Sequence, residues 1–318
     1  MTAAVGGGRA GASVIVPFVG TQAELDSVLG ALNRLHTTAI DEVIVVDDRP
    51  GASGAVAGTR PPPDATAPPL RIIAGGPVHG PAAARNAGAR SACGPWLVFL
   101  DADVTPAPDL LDRYLWPEPP PDVGVLAGGL VDVAAGPGLA GRWAVTRAKM
   151  GEGQALGAAP GPYAQTANCA VRAAAFAAAG GFDERARAGE DADLCWRLEA
   201  AGWRLEHRRD ARAEHRARAT LGALLGQLAV HGAGMAWLER RHPGAFPAPT
   251  PHEVVGRFAR HGLAAVRAPG PARRLILVDL LAECARDLGR LRANRPPGDR
   301  LGPTAPGARV TPTSTAPR

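Results

Sequence analysis

The chain has 318 residues, 46% of them hydrophobic, and carries a formal net charge of +5 at pH 7. This length and apolar content are enough for one large α/β domain with an extension, or for two smaller domains. The modest positive charge is only a weak indication of an anionic partner. No arginine stripe with interleaved aromatic residues occurs, so nucleic acid is the least favoured partner.

Cysteine usage and the lack of long apolar segments indicate the cytoplasm. Cys93, Cys169, Cys195 and Cys284 form neither a C-x-x-C pair nor a metal-binding spacing, so we expect reduced, buried thiols. The first eleven residues contain no apolar segment of the secretory type. No apolar stretch approaches the roughly 20 residues needed to span a bilayer. We therefore expect a cytoplasmic protein, soluble or peripheral at the inner face of the membrane.

Strand and helix patterns alternate along the first hundred residues. Short apolar runs predict strands at 13–17, 42–46, 70–73 and 96–100. A capping box of Thr21 and Glu24 begins one helix, and Pro81 begins another that ends at Ala92. Residues 49–69 are rich in Pro, Gly and Ala and predict a long loop. The alternation predicts an α/β fold with a mostly parallel, doubly wound central sheet flanked by helices.

The rest of the chain is predicted to be more helical. We expect strands at 123–133 and 168–171, and helices at 139–150, 173–179, 190–201, 221–241, 253–266 and 273–292. Composition then divides the chain into four parts. These are a flexible N-terminus (1–11), an α/β domain (12–218), a C-terminal helical extension (219–294) and a disordered tail (295–318).

Two carboxylates stand at the end of the most apolar predicted strand. Asp101 and Asp103 follow the run Trp96–Leu100 directly. Ligands of open α/β sheets bind outside the carboxyl ends of the strands, and carboxylate oxygens suit Mg²⁺ or Mn²⁺. Because a D-x-D sequence is common, a solvated loop with two unrelated acids explains this spacing equally well.

Five features in a fixed order carry a family resemblance. They are Ser13–Pro17, Val46–Asp48, Ala84–Gly88, Phe99–Asp103, and Gly181–Glu184 followed by Glu190–Leu194. In these features the chain resembles the family 2 glycosyltransferases over about residues 12–216. The resemblance implies the GT-A fold of the nucleotide-diphospho-sugar transferases, and a nucleotide-diphospho-sugar donor as partner.

The resemblance also implies a donor site formed by Pro17, Phe18, Asp48, Arg85, Asp101 and Asp103. Asp48 would accept a hydrogen bond from the base, unless it is only a solvated strand end. Arg85 would contact the diphosphate or pin the D-x-D loop, and a structural salt bridge is an equal alternative. The sequences at 18–20 and 49–50 depart from the family's usual pattern, which leaves the nucleotide base open.

The same resemblance implies a divalent metal, Mn²⁺ or Mg²⁺, as cofactor. Asp103 resembles the direct metal ligand, and Asp101 the residue that contacts the ribose or metal-bound water. His215 falls where several members of the family have a third metal ligand or a diphosphate contact. A surface histidine in an arginine-rich loop is almost as good an interpretation of His215.

Acceptor chemistry is assigned to the second half of the domain. Asp191 is the candidate catalytic base, and helix capping is its alternative role. Glu190 would hold the acceptor or assist the base. Asn168 would either hydrogen-bond the acceptor or hold a loop.

These residues predict an inverting, metal-dependent enzyme that moves a single sugar to an unknown acceptor hydroxyl on a glycan, a lipid-linked molecule or a small molecule. No Gln-x-x-Arg-Trp segment follows the candidate base, which disfavours a processive polysaccharide synthase. The alternatives are a sugar-nucleotide nucleotidyltransferase and a catalytically degenerate binding or scaffold module. The amphipathic segment Gly234–Pro243 would contact a membrane peripherally or pack on the catalytic domain.

Overall fold

The computed structural model describes residues 9–52, 57–60, 70–150 and 161–295. The predicted disordered tail lies outside this part of the chain except for its first residue, and so do residues 1–8 of the predicted flexible N-terminus. The predicted loop at 49–69 lies partly outside it.

One mixed sheet forms the centre of the molecule. Its strands are β1 (Ala12–Phe18), β2 (Glu42–Asp47), β3 (Ala57–Arg60), β4 (Leu70–Ala74), β5 (Trp96–Leu100), β6 (Val104–Pro106), β7 (Val123–Val133), β8 (Asn168–Arg172) and β9 (Arg204–Arg216). They lie in the order β3-β4-β2-β1-β5-β8-β7-β9-β6. The run β4-β2-β1-β5 is parallel, as predicted, and places the carboxyl ends of β1, β2 and β5 at one edge.

The other half of the sheet departs from the parallel pattern. Strand β8 is antiparallel to both β5 and β7, and β6 is antiparallel to β9. Strand β7, however, is parallel to β9. The predicted α/β architecture is confirmed, and its parallel pairs lie in the run β4-β2-β1-β5 and at β7-β9.

Nine helices occur in the described part of the chain. They are α1 (Gln22–Leu32), α2 (Pro81–Ser91), α3 (Leu110–Leu115), α4 (Leu139–Arg147), α5 (Ala173–Ala178), α6 (Glu190–Ala200), α7 (Leu221–Arg241), α8 (Pro251–Arg267) and α9 (Gly270–Arg290). The capping box of Thr21 and Glu24 begins α1 as predicted, with both hydrogen bonds formed. The short elements β3, β6 and α3 were not predicted, and β3 lies within the predicted loop at 49–69, so that prediction is wrong for residues 57–60.

Strand β9 was also not predicted, because its sequence is rich in charged residues. Its buried residues Ala211, Ala213 and His215 alternate with exposed ones, which is the period of a strand with one face in the core. Its pairing with β6 sets Val104 opposite His215. This register brings His215 to the D-x-D loop.

Helices cover both faces of the sheet because the side chains of β1 alternate. Val14 and Val16 pack in one apolar cluster with α1 and α3, and Ile15 packs in a second cluster with α2, α5 and α6. Cys169 and Cys195 are buried as predicted, whereas Cys93 is exposed and Cys284 is half-buried; all four thiols are free.

The C-terminal helices form a third apolar layer. Trp143 of α4 packs with Leu224 and Leu228 of α7 and Val278 of α9. Helices α7 and α9 approach closely at Gly232, where a Cβ atom would lie 1.9 Å from the carbonyl oxygen of Arg286.

Helix α7 is long and apolar enough to cross a membrane, by length and composition alone. This corrects the expectation that no apolar stretch reaches that length. In the structure α7 packs against α9 and α4, with Leu224, Leu228 and Leu238 buried, so it serves as the central helix of the C-terminal layer.

Candidate functional site

A cleft of about 1840 Å³ opens at the carboxyl ends of β1, β2 and β5. Helices α6, α7 and α9 close its other side. Nine of the ten predicted site residues line it, namely Pro17, Phe18, Asp48, Arg85, Asp101, Asp103, Glu190, Asp191 and His215. Asn168 is the exception.

Arg85, on α2, links the D-x-D loop to the start of α6. Its Nη2 donates to Asp101 Oδ1 at 2.6 Å and its Nη1 donates to Glu190 Oε1 at 2.7 Å, in a side chain that is 4% exposed. Burial opposes the charge, but these two carboxylates raise the pKa of Arg85 and keep it protonated. Both terminal nitrogens are engaged, so Arg85 fits the predicted roles of loop pin and structural salt bridge better than a diphosphate contact.

Glu190 and Asp191 occupy the first turn of α6 but have different surroundings. Gly189 precedes them with φ +88°, and a Cβ atom there would lie 2.9 Å from Leu238, so glycine suits this turn. Glu190 is buried against Arg85, whereas Asp191 is half-buried and lines the cleft. Burial raises the pKa of both carboxyl groups. Asp191 is the more accessible carboxylate.

A line of hydrogen-bonding groups connects the D-x-D loop to β7. Asp132 Oδ1 lies 2.8 Å from His215 Nδ1, and His215 Nε2 lies 3.8 Å from Asp103 Oδ2. Asp132 therefore holds the imidazole with Nε2 directed toward Asp103. Burial and nearby Asp101 raise the pKa of Asp103, while His215 and Arg218 oppose this. Arg218 Nη2 lies 3.2 Å from Asp103 Oδ2.

Asp132 was missed in the sequence. It is the only carboxylate within the apolar strand β7, and its burial on an otherwise apolar strand is the signal that could have identified it.

Asp101, Asp103 and His215 are the residues whose side chains could hold part of the coordination sphere of a metal ion. Across residues 9–52, 57–60, 70–150 and 161–295, no three His, Cys, Asp or Glu side chains form a cluster that could hold a metal ion unaided. Two carboxylates and one oriented imidazole nitrogen nevertheless fit a cation that takes its other ligands from phosphate oxygens and water, as Mg²⁺ and Mn²⁺ commonly do.

The predicted base pocket is partly occupied by the protein's own contacts. Asp48 is buried, and its carboxylate lies 2.8 Å from His79 Nδ1 and accepts the Gly80 N–H at 2.8 Å. The guanidinium of Arg49 lies over the ring of Phe18, 5.6 Å from its centroid. His79 is a further cleft residue that the sequence did not reveal.

Asn168 lies in the protein interior. Its Oδ1 accepts from the Tyr114 hydroxyl, and its Nδ2 donates to the carbonyls of Gly129 and Ala211. These bonds tie β7, β8 and β9 together. Of the two roles left open for Asn168, the structure favours that of holding the backbone.

Two family models match the chain. The model described as "Glycosyl transferase family 2" matches residues 13–116. The model described as "Glycosyl transferase family group 2" matches residues 96–271, more than half of the chain. The chain belongs to glycosyltransferase family 2. Both family matches include the D-x-D loop of this glycosyltransferase, and the second also includes Asp191 and His215.

Relatives of this family 2 glycosyltransferase match it only in part. A pre-mycofactocin glycosyltransferase of Mycobacterium tuberculosis (strain CDC 1551 / Oshkosh) is 35% identical over 168 residues, 52% of this chain and 36% of the relative. An uncharacterized glycosyltransferase of Haemophilus influenzae (strain ATCC 51907 / DSM 11121 / KW20 / Rd) is 33% identical over 103 residues, 32% of this chain and 33% of the relative. The matched part thus spans about a third of each curated relative.

Among solved structures, a mannosyltransferase from Pyrobaculum calidifontis in complex with GDP-Man and Mn²⁺ is similar to this glycosyltransferase. The two are 19% identical, with a TM-score of 0.47, and the match covers 89% of this chain and 72% of that chain.

Proposed function

We propose that this family 2 glycosyltransferase moves a single sugar, with inversion, from a nucleotide-diphosphate donor to an acceptor hydroxyl. The observation that carries the proposal is one cleft lined by the D-x-D carboxylates on one side and by Asp191 on the other. Family membership favours sugar transfer over the nucleotidyltransferase alternative. A module that only binds or acts as a scaffold needs no catalytic base, so the accessible carboxylate of Asp191 in the cleft favours an enzyme.

The step assigns one task to each group. Asp191 takes the proton of the acceptor hydroxyl while that oxygen bonds to the anomeric carbon. The bond from the anomeric carbon to the diphosphate oxygen breaks on the opposite face, and its electron pair leaves with the diphosphate. Glu190 stays bound to Arg85, which also binds Asp101, so Glu190 assists by fixing the start of α6 relative to the D-x-D loop.

Asp101, Asp103 and His215 are the residues that would hold a divalent cation. Such a cation, when bound, stabilises the negative charge that develops on the leaving diphosphate. Asp132 fixes the tautomer of His215, and Arg85 fixes Asp101, so the ligand side chains are oriented by the protein itself.

The proposal includes a cytoplasmic location with peripheral contact to an anionic membrane. The segment 234–243 is engaged with the catalytic part, because Asp193 accepts from Arg241 and pairs with His242. Helix α8 offers a better surface, since Val255, Phe258, Leu263 and Val266 are exposed. Exposed arginines at 260 and 267 flank this apolar face. That pairing suits a helix lying in the interface of an anionic bilayer.

The test is calorimetric titration of nucleotide sugars with and without Mn²⁺. We expect the wild-type protein to bind one nucleotide sugar more tightly with Mn²⁺, and Asp103→Ala to lose the Mn²⁺-dependent part. Asp109→Ala, which removes an exposed carboxylate paired only with Arg113, is the matched control. Metal-independent binding, or unchanged Mn²⁺ dependence in Asp103→Ala, contradicts the proposed role.

A further inference from the structure

Two cations that line the cleft, Lys149 and Arg286, have no task in the proposed transfer step. Lys149 lies in the turn after α4 and Arg286 on α9, and Arg218, which pairs with Asp103, lines the same cleft. Lys149 is the only lysine of the chain, and the rest of its 35 lysines and arginines are arginines. Lys149 Nζ donates to Gln227 Oε1 at 2.9 Å.

Lys149 is held close to the D-x-D loop by its neighbour in the chain. The N–H of Met150 donates to Asp132 Oδ2 at 2.8 Å, and Asp132 also binds His215. Lys149 interacts electrostatically with Asp132 and Asp103, and also with Arg218 and Arg286. Its ammonium group therefore lies within electrostatic range of Asp103.

Arg286 is a half-buried cation whose nearby carboxylates bind other groups. Asp279 accepts from Trp143 and Arg147, and Asp287 and Glu283 pair with Arg257. Within the described parts of the chain, the guanidinium of Arg286 has no hydrogen bond or ion pair. The close approach of α9 to α7 at Gly232 sets Arg286 beside His231.

Within these described residues, neither Lys149 nor Arg286 is hydrogen-bonded to a carboxylate: Lys149 donates to the neutral amide of Gln227, whereas Arg218 pairs with Asp103. Burial lowers the pKa of Lys149 to about 8 and lowers that of Arg286. Burial and the same cations lower the pKa of His231 to about 3, so this imidazole stays neutral. Buried charges without a partner are unfavourable, and an anion placed among them would be stabilised.

We propose that Lys149 and Arg286, with Arg218 beside them, form a subsite that binds an oxyanion group of a substrate. The group is a phosphate or carboxylate, carried either by the donor as its diphosphate or by the acceptor as an acidic substituent. This proposal rests on the proposed function, because it assigns the oxyanion to a substrate of sugar transfer. It adds Lys149, in the turn after α4, and Arg286 of α9 to the site and identifies the ligand chemistry there.

Selective labelling of the single lysine tests the subsite directly. An amine-selective acylating reagent is applied at pH 8, and modification of Lys149 is followed by peptide mass spectrometry. We expect inorganic phosphate, or UDP or GDP with Mn²⁺, to slow acylation of Lys149, because a bound oxyanion shields the amine and favours its unreactive protonated form. Acylation of the N-terminal amine in the same sample is the internal control.

Charge-removing variants identify the source of the oxyanion. Lys149→Met and Arg286→Met should each weaken binding of the relevant anion about tenfold, as expected for a lost charge-assisted hydrogen bond. Lys149→Arg keeps the charge and should retain most of the affinity. Arg274→Met, which removes an exposed arginine of the same helix outside the cleft, is the matched control.

Two outcomes support the subsite and separate its sources. Weaker binding of UDP or GDP in both variants assigns it to the donor diphosphate. Unchanged nucleotide binding, with phosphate still protecting Lys149 in protein saturated with UDP or GDP and Mn²⁺, assigns it to the acceptor.

Two other outcomes overturn it. One is that neither phosphate nor nucleotide protects Lys149 in a wild-type protein that binds nucleotide. The other is an equal loss of binding in Arg274→Met, which would mean that only overall charge matters. A wild-type protein that binds no nucleotide sugar at all contradicts the proposed function instead, and phosphate protection then decides the subsite separately.

Discussion

Asp191 is accessible from the cleft, yet its surroundings disfavour its charged form. Burial raises its pKa, and burial also raises the pKa of neighbouring Glu190 to about 7. A base must be ionised, so protonation removes activity as the pH falls through the raised pKa. We expect kcat/KM for donor hydrolysis, with water as acceptor, to begin falling at a higher pH than the ordinary carboxyl value of about 4 would give.

The pH profile is measured at saturating Mn²⁺, with donor affinity determined in parallel at each pH. Because the carboxyl groups of Glu190 and Asp191 interact, the fall of kcat/KM at low pH reports the titration of the pair and not of one residue. A rate that stays constant down to about pH 4 contradicts the assignment. If the rate falls only in proportion to donor affinity, the pH dependence at low pH reflects donor binding and not the catalytic base.

Asp132 acts on the proposed metal site through His215. Asp132→Asn removes the charge that holds the imidazole tautomer, so it should weaken Mn²⁺ binding about tenfold or more, as for other outer partners of metal ligands. Manganese electron paramagnetic resonance measures free Mn²⁺ without relying on activity. Asp122→Asn, at an exposed carboxylate, is the control. Unchanged Mn²⁺ affinity in Asp132→Asn would show that His215 is not a ligand.

At the residue scale, motif order identified five of the eight carboxylates that line the cleft and missed Glu24, Asp279 and Glu283. It could not identify Asp132, Lys149 or Arg286, because their importance depends on which helix and strand meet. Asn168 shows the converse. Its amide is used by Tyr114 and two carbonyls, and only the packing of β7, β8 and β9 reveals this.

At the element scale, helix α8 carries the proposed membrane contact. Phe258→Asp with Val266→Asp places charges on its exposed apolar face. Burying one such side chain is worth roughly 1.5–3 kcal/mol, so the double variant should lower binding to vesicles containing phosphatidylglycerol by about tenfold or more. Vesicle flotation measures this binding. The control is Ile40→Asp, at an exposed apolar residue in the loop before β2.

Two results would contradict the membrane contact. One is equal flotation of wild type and double variant. The other is a dimer in light scattering that the double variant dissociates, which would make the α8 face an interface between two copies of the chain.

Helices were predicted more completely than strands. The α7 boundaries were predicted to the residue, and in the structure the Thr220 side chain caps its start by accepting the Ala223 N–H. Strand β9 was not predicted because its many arginines leave it without an apolar run. Elements β6 and α3 are too short to show a periodic pattern. These three elements are defined by their partners rather than by their own sequences.

At the scale of the whole molecule, the site depends on both parts of the chain. The sheet edge contributes Asp101 and Asp103, α6 contributes Asp191, the turn after α4 contributes Lys149, and α9 of the C-terminal extension contributes Arg286. The parallel half of the sheet follows from strand–helix alternation. The antiparallel pairs β5-β8, β7-β8 and β6-β9 do not follow from it. We propose that residues 12–218 and 219–294 act as one catalytic unit.

The central claim is that Asp191 removes the acceptor proton within a cleft that binds the donor independently of it. The decisive measurement compares Asp191→Asn with the wild type for nucleotide-sugar affinity by calorimetry and for turnover, as release of nucleoside diphosphate. We expect affinity to change little and turnover to fall by roughly 10²–10⁴. Turnover that survives at the wild-type rate would contradict the account.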